Sequence, residues 1–140
     1  TVGRPKQPEG KIEGFLLKNE AKKEVRFFHK PVPGGKTAVT LYRTLESRGG
    51  LSLVECRLLT GRTHQIRVSM AEIGCPLLGD GKYGKGDVNR RYHETRQALY
   101  SYKLRFDFPT DAGLLNYLKG QEFTVENVPF REKYFPEILS

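Results

Sequence analysis

The sequence predicts an α+β fold with a mixed, mainly antiparallel sheet and a few helices, and three observations carry that prediction. Stretches of two-residue alternation outnumber helical ones, and short polar or Gly-rich turns separate them, as between antiparallel neighbours. The helical stretches do not alternate strictly with the strands, which argues against a parallel α/β sheet. The 140 residues amount to a single domain at most. A hydrophobic share of 37% with no low-complexity run places the chain among folded proteins. It opens on Thr1 rather than Met, in what reads as the tail of a strand (Thr1-Val2-Gly3), so a fragment is expected.

Thr1 to Glu9 reads as a connector containing Pro5 and Pro8. Ile12 to Leu17 is a predicted strand, Asn19 to Lys23 a polar turn, and Val25 to Phe28 a second strand. Pro31 to Gly35 is a loop. Lys36 to Leu45 alternates, with Val39, Leu41 and Leu45 assigned to one face and Thr40, Tyr42 and Thr44 to the other. After the Ser47-Arg48-Gly49-Gly50 turn, Leu51 to Leu58 returns with Val54, Cys56 and Leu58 expected inward. A helix follows to about Ile73, with Thr63 its predicted N-cap and Gly74 and Pro76 its stop. Its apolar stripe is Ile66, Met70 and Ile73, and His64, Arg67 and Ala71 fall on another face. Lys85 to Glu94 reads as a polar, basic excursion and Ala98 to Phe108 as a strand. Leu114 to Leu118 is a helical turn, Phe123 to Val125 a small strand, and Phe130 to Leu139 a C-terminal helix.

Charge narrows the partner. Residues 1–56 and 57–106 carry net charges of about +5 and +6, whereas 107–140 carry about −3, within a total of +8. This clustering and a pI near 9.6 suggest a polyanion such as nucleic acid, or a merely solvated basic surface. No apolar run is long enough to span a membrane. Cys56 and Cys75 form no Cys-x-x-Cys pair, and with three scattered histidines they give no metal-ligand spacing. No metal or cofactor is expected, and a reducing, cytoplasmic compartment fits.

The chemistry concentrates in Leu59-Thr60-Gly61-Arg62-Thr63-His64-Gln65-Ile66-Arg67. A strand runs through a Gly turn into a helix, whose N-terminus favours anions. Arg62, ahead of the helix, is placed to reach a phosphate, and Arg67, one turn in, to pair with a carboxylate. Taken singly, each arginine is first a solvated or structural ion-pairing residue. For His64, which lacks a nearby nucleophile or orienting acid, a structural or RNA-contacting role ranks above a general base. Gln65 is a hydrogen-bonding residue of the same kind. Tyr83 and Tyr92 are candidates to stack on unpaired bases, whereas Tyr100 and Tyr102 read first as core. Asp80, between glycines, reads as a turn residue first and an acid second.

Leu59 to Val68, followed by Gly74-Cys75-Pro76-Leu77-Leu78-Gly79-Asp80 and Tyr83-Gly84, closely resembles a signature of the RluA-like pseudouridine synthases. More loosely, the resemblance extends over nearly the whole chain. It implies part of a pseudouridine synthase catalytic domain, acting on ribosomal or transfer RNA without metal or cofactor. In that family an aspartate nucleophile detaches uracil from ribose, and the base turns and rejoins through carbon. The resemblance gives Arg67 the role of pairing with that aspartate, and places a leucine like Leu99 in the pocket wall. Arg62, His64 and Gln65 would line the RNA-facing entrance, with Tyr83, Arg90 and Arg91 as further RNA contacts. The family's Arg-Leu-Asp segment, followed by Thr-Ser-Gly, does not occur in these 140 residues. Its active-site tyrosine would fall before Gly3. The chain is therefore expected to be the C-terminal portion of the domain, inactive alone and prone to self-association through exposed sheet edge. A non-catalytic RNA-binding module is the alternative. Ser69 stands where many relatives have His, Leu99-Tyr100-Ser101 replaces Leu-His-Ala, and Asp111 to Lys119 is longer than usual.

Overall fold

Pairing on both edges makes the first strand of the computed structural model longer than its apolar core suggests. The structure describes residues 1–99, 103–105, 122–124 and 133–135. Strand β1 (Glu9–Asn19) pairs antiparallel with β2 (Glu24–Phe28) on one edge and with β3 (Lys36–Arg48) on the other. β3 in turn pairs with β4 (Leu51–Leu58), giving the order β2-β1-β3-β4. Ile12, Gly14 and Leu16 point inward, while Lys11, Glu13 and Lys18 remain exposed. Val2 bridges Leu51 and donates its N–H to the Pro76 carbonyl, so the Thr1-Val2-Gly3 segment runs beside β4.

Of the two faces of β3, the one that carries Thr40 and Tyr42 is the buried one. Ala38, Thr40 and Tyr42 are buried, whereas Val39 and Leu41 are half-buried and Leu45 is exposed. A register shift between Thr44 and Glu46 releases Leu45 from the ladder. In β4, Val54 and Cys56 pack against the core as expected, but Leu58, still paired with Thr40 at the end of the strand, is 46% exposed.

Helix α1 (Gln65–Glu72) lies on this buried face. Met70 packs with Ile12, Tyr42, Cys75 and Leu77, and Val68 with Leu16, Val25 and Ala38. Ile66 and Ile73 are only half-buried, so the buried stripe is centred on Val68, Ser69 and Met70. The N-cap is His64, in the left-handed region at φ 55°, and not Thr63. No side chain caps the helix; instead Gln65 closes the turn ahead of it, its N–H donating to the Arg62 carbonyl and its Oε1 accepting the Arg62 N–H. At the other end the Cys75 and Gly74 N–H groups return to Met70 and Ala71, closing the helix as its Gly-Cys-Pro sequence predicts.

Helix α2 (Gly86–Arg91) occupies the stretch read as a polar excursion. Beyond it, β5 (Lys103–Arg105) pairs antiparallel with β6 (Glu122–Thr124), inside and beside the strands expected at 98–108 and 123–125. Within the expected C-terminal helix, Lys133 and Tyr134 are helical. The expected helical turn at 114–118, with Tyr100 and Tyr102, lies outside the described residues. The chain divides into two compact units, Thr1–Ala98 and Leu99–Ser140.

Candidate functional site

A Gly-rich turn between the two helices builds the site. Asp80 Oδ1 accepts the backbone N–H groups of Lys82 (2.9 Å) and Tyr83 (3.0 Å), the bonding pattern of a tight aspartate turn. Gly79 sits at φ 84°, where an added Cβ would meet the Arg96 carbonyl oxygen at 1.8 Å. Asn89 of α2 clamps the turn from behind. Its Oδ1 accepts the Gly79 N–H (2.7 Å), and its Nδ2 donates to the Asp80 carbonyl (3.0 Å). The Asp80 carboxylate is therefore oriented by backbone and buried, with a side-chain exposure of 0%.

Arg67 reaches that carboxylate from the first turn of α1. Its Nε donates to Oδ2 and its Nη2 to Oδ1, both at 2.9 Å, forming a two-pronged pair. Burial pushes the Asp80 carboxyl up, but the Arg67 fork and the two backbone N–H groups outweigh it, and the net shift is down. Asp80 is thus a carboxylate partner of Arg67 within these residues, beside the one expected from the absent segment. The fork uses one edge of the guanidinium, and the side chain is 14% exposed.

Tyr83 joins the pair to the sheet. Its ring lies under the Arg67 guanidinium, 5.2 Å from centre to carbon, and its hydroxyl accepts the Val25 N–H at 2.8 Å. The same hydroxyl meets His64 Nδ1 at 2.9 Å, with the two rings edge to face. Burial, and then the charges of Arg67 and Lys82, lower the His64 pKa, which favours the neutral imidazole. With the hydroxyl already accepting from Val25, donation to Nδ1 is the favoured arrangement, which leaves the imidazole proton on Nε2. Burial chiefly raises the Tyr83 pKa, consistent with a phenol that stays protonated.

Gln65 is not an RNA-facing residue. It is 2% exposed, and all four of its amide bonds are made inside the protein. Oε1 accepts from the Thr60 hydroxyl and the Arg62 N–H, while Nε2 donates to the Val39 carbonyl and the Thr40 hydroxyl. Arg62 uses its Nε on the Thr37 carbonyl at 2.8 Å and is half-buried. Arg90 and Arg91 are exposed on α2. Leu99 opens the second unit and is 41% exposed. Among the described residues, no group of His, Cys, Asp and Glu is arranged to hold a metal, and no helix is long and apolar enough to cross a membrane.

A sequence model described as RNA pseudouridylate synthase matches residues 1–72, just over half of the chain. The chain belongs to the RNA pseudouridylate synthase family. It is 38% identical over 118 residues to ribosomal large subunit pseudouridine synthase D of Haemophilus ducreyi, covering 76% of this chain and 35% of that protein. It is 51% identical over 75 residues to an uncharacterised RNA pseudouridine synthase, YlyB, of Bacillus subtilis, covering 54% and 24%. The solved structure of human RNA pseudouridylate synthase domain containing 1 superposes with a TM-score of 0.67 at 26% identity, covering 94% of this chain and 53% of that one. The chain spans about a quarter to a third of these two curated relatives. Within this chain of the pseudouridylate synthase family, the structure gathers Arg67, His64 and Tyr83 around Asp80. Sequence reading missed Asp80 as the ion-pair partner and Asn89 as its clamp. Asp-Gly-Lys-Tyr is a turn signal that could have placed Asp80, whereas nothing in a polar helix marks Asn89.

Proposed function

We propose that the intact protein isomerises uridine to pseudouridine in ribosomal or transfer RNA, and that this chain supplies the guanidinium and part of the RNA-facing surface. The two-pronged Arg67–Asp80 pair is the observation that carries this reading. Asp80 fixes the orientation of Arg67 through one edge of the guanidinium. The terminal edge, with Nη1, would hold a second carboxylate, the nucleophile that the family resemblance puts in an Arg-Leu-Asp segment. Kept ionised by Arg67, that aspartate would take the sugar as an ester at C1′ while the C1′–N1 bond breaks; the ester bond would then break as C1′ bonds to C5 of the turned base, with the C5 proton lost and N1 left protonated. The uridine has to leave its stack to reach such a buried cluster. The free cysteines Cys56 and Cys75 support a reducing, cytoplasmic setting.

Release of tritium from RNA labelled at C5 of uracil tests the reading, because C5 loses its hydrogen as the new bond forms. The full-length protein is expected to release it, and the 140-residue chain to bind RNA without release. Arg67→Lys keeps the charge but removes the planar fork, and is expected to slow release by about 10²-fold or more. Undiminished release by that variant would remove Arg67 from the mechanism. RNA binding without any release by the full-length protein would favour the non-catalytic RNA-binding module.

A further inference from the structure

A pocket of about 290 Å³ opens beside this cluster, between the β1–β2 hairpin, the start of β3 and the turn that leads into α1. Its rim carries Lys18, Lys36 and Arg62 against one carboxylate, Glu20, while Leu17 and Val25 contribute apolar wall. Arg62 is held there by its Nε bond to the Thr37 carbonyl, so its terminal nitrogens project from an anchored stem. Lys18 is drawn toward Glu20 at 3.6 Å, whereas Lys36 is exposed. The pocket adjoins the Arg67 cluster through shared residues. Val25 lines it and gives its N–H to the Tyr83 hydroxyl, and Thr63 lines it next to His64.

We propose that this pocket is a subsite for a single unpaired nucleotide, holding the phosphate and ribose of the residue adjacent to the uridine at Arg67. The proposal rests on the RNA reading above. Three cations against one carboxylate suit a phosphodiester, which a forked arginine and a mobile lysine contact together. The volume lies at the lower limit for small-ligand sites, about 300 Å³, which admits one nucleotide and not a duplex. An apolar wall beside the cations suits a sugar or base edge, and it distinguishes the pocket from a merely basic surface.

Fluorescence anisotropy of the chain with a short, labelled single-stranded oligoribonucleotide, repeated across salt concentrations, tests it. Lys36→Ala is expected to weaken binding roughly three- to tenfold at low salt and to flatten the salt slope by about 0.7, the loss of one phosphate contact on a single strand. Lys36→Arg restores both. Lys6→Ala, the same charge change outside the pocket, leaves the slope unchanged. Glu20→Gln removes the opposing carboxylate and is expected to tighten binding roughly two- to fivefold, a gain that misfolding cannot imitate. Equal effects of Lys36→Ala and Lys6→Ala, or no gain from Glu20→Gln, would overturn the subsite. So would inorganic phosphate competing as well as unlabelled oligoribonucleotide at equal phosphate, because the pocket would then be a free-phosphate site. Wild-type chain that binds no RNA would instead overturn the RNA reading itself.

Discussion

Gln65 sits in the middle of the basic motif and has no exposed donor to offer RNA. Its amide joins the Thr60–Arg62 turn to β3 through Thr40 and Val39, which positions the start of α1 over the sheet. Gln65→Ala would leave the Thr40 hydroxyl and the Val39 carbonyl buried with fewer partners, at a cost of about 2–4 kcal/mol. Urea denaturation checks this; an unchanged midpoint with weakened RNA binding would return Gln65 to the RNA surface. Ser69 presents the opposite case, a buried hydroxyl with no hydrogen-bond partner among the described residues. Ser69→Ala is expected to be neutral or to stabilise by up to about 1 kcal/mol, and a clear loss of stability in the same titration would show a hidden partner. Asp80 adds a pH dependence. Its folded-state pKa is lowered, so its contribution is present above the unfolded value near 3.9 and is lost as pH falls through the folded value. Asp80→Asn leaves Arg67 without its counter-charge and is expected to cost about 3 kcal/mol at neutral pH. The acid limb of the stability curve should also be shallower than in the wild type, and identical acid limbs would show that Asp80 does not set it.

At the scale of elements, what could be read depended on whether a side chain's surroundings were local. The β1–β2 and β3–β4 hairpins follow from alternation and turn residues close in sequence, and both are present. The inward face of β3 is different, because either face offers a comparable apolar pattern. Thr40 goes inside because Gln65, 25 residues later, satisfies its hydroxyl, a pairing that alternation cannot show. The same limit hid α2. Its six residues, Gly86–Arg91, present no apolar stripe, and their buried member is Asn89, which serves as a polar clamp. Asn89→Ala is expected to free the Gly79 N–H inside the protein and to leave the Asp80 carbonyl with the Gly84 N–H alone, loosening the turn that holds Arg67. The expected cost is about 1–3 kcal/mol. Hydrogen exchange at Gly79, Lys82 and Tyr83 should rise more than exchange along β1 and β3. Uniform acceleration across the unit would mean that Asn89 supports the whole fold and not the turn.

At the scale of the whole molecule, the parts that make the site and the parts that make the core coincide. The described core clusters draw on β1, β2, β3, β4, α1 and the Cys75–Leu77 segment, all within Thr1–Ala98. Arg67, Asp80, Asn89 and the pocket lined by Lys18, Lys36 and Arg62 belong to the same unit. The Arg62, Arg67 and Arg90-Arg91 cations lie there too, whereas residues 107–140 carry the acidic excess. A chain ending at Ala98 is therefore expected to fold by itself, since compact units with their own core can do so. It should also bind single-stranded RNA with the salt slope of the full chain, because phosphate contacts set that slope and the cations are retained. Dispersed amide resonances and a cooperative urea transition would establish the first expectation, and parallel anisotropy titrations the second. A molten 1–98 chain would show that Leu99–Ser140 completes the core. A folded 1–98 chain with a distinctly shallower slope would instead move part of the RNA contact into the second unit, where Lys103, Arg105, Lys119, Arg131 and Lys133 are its cations.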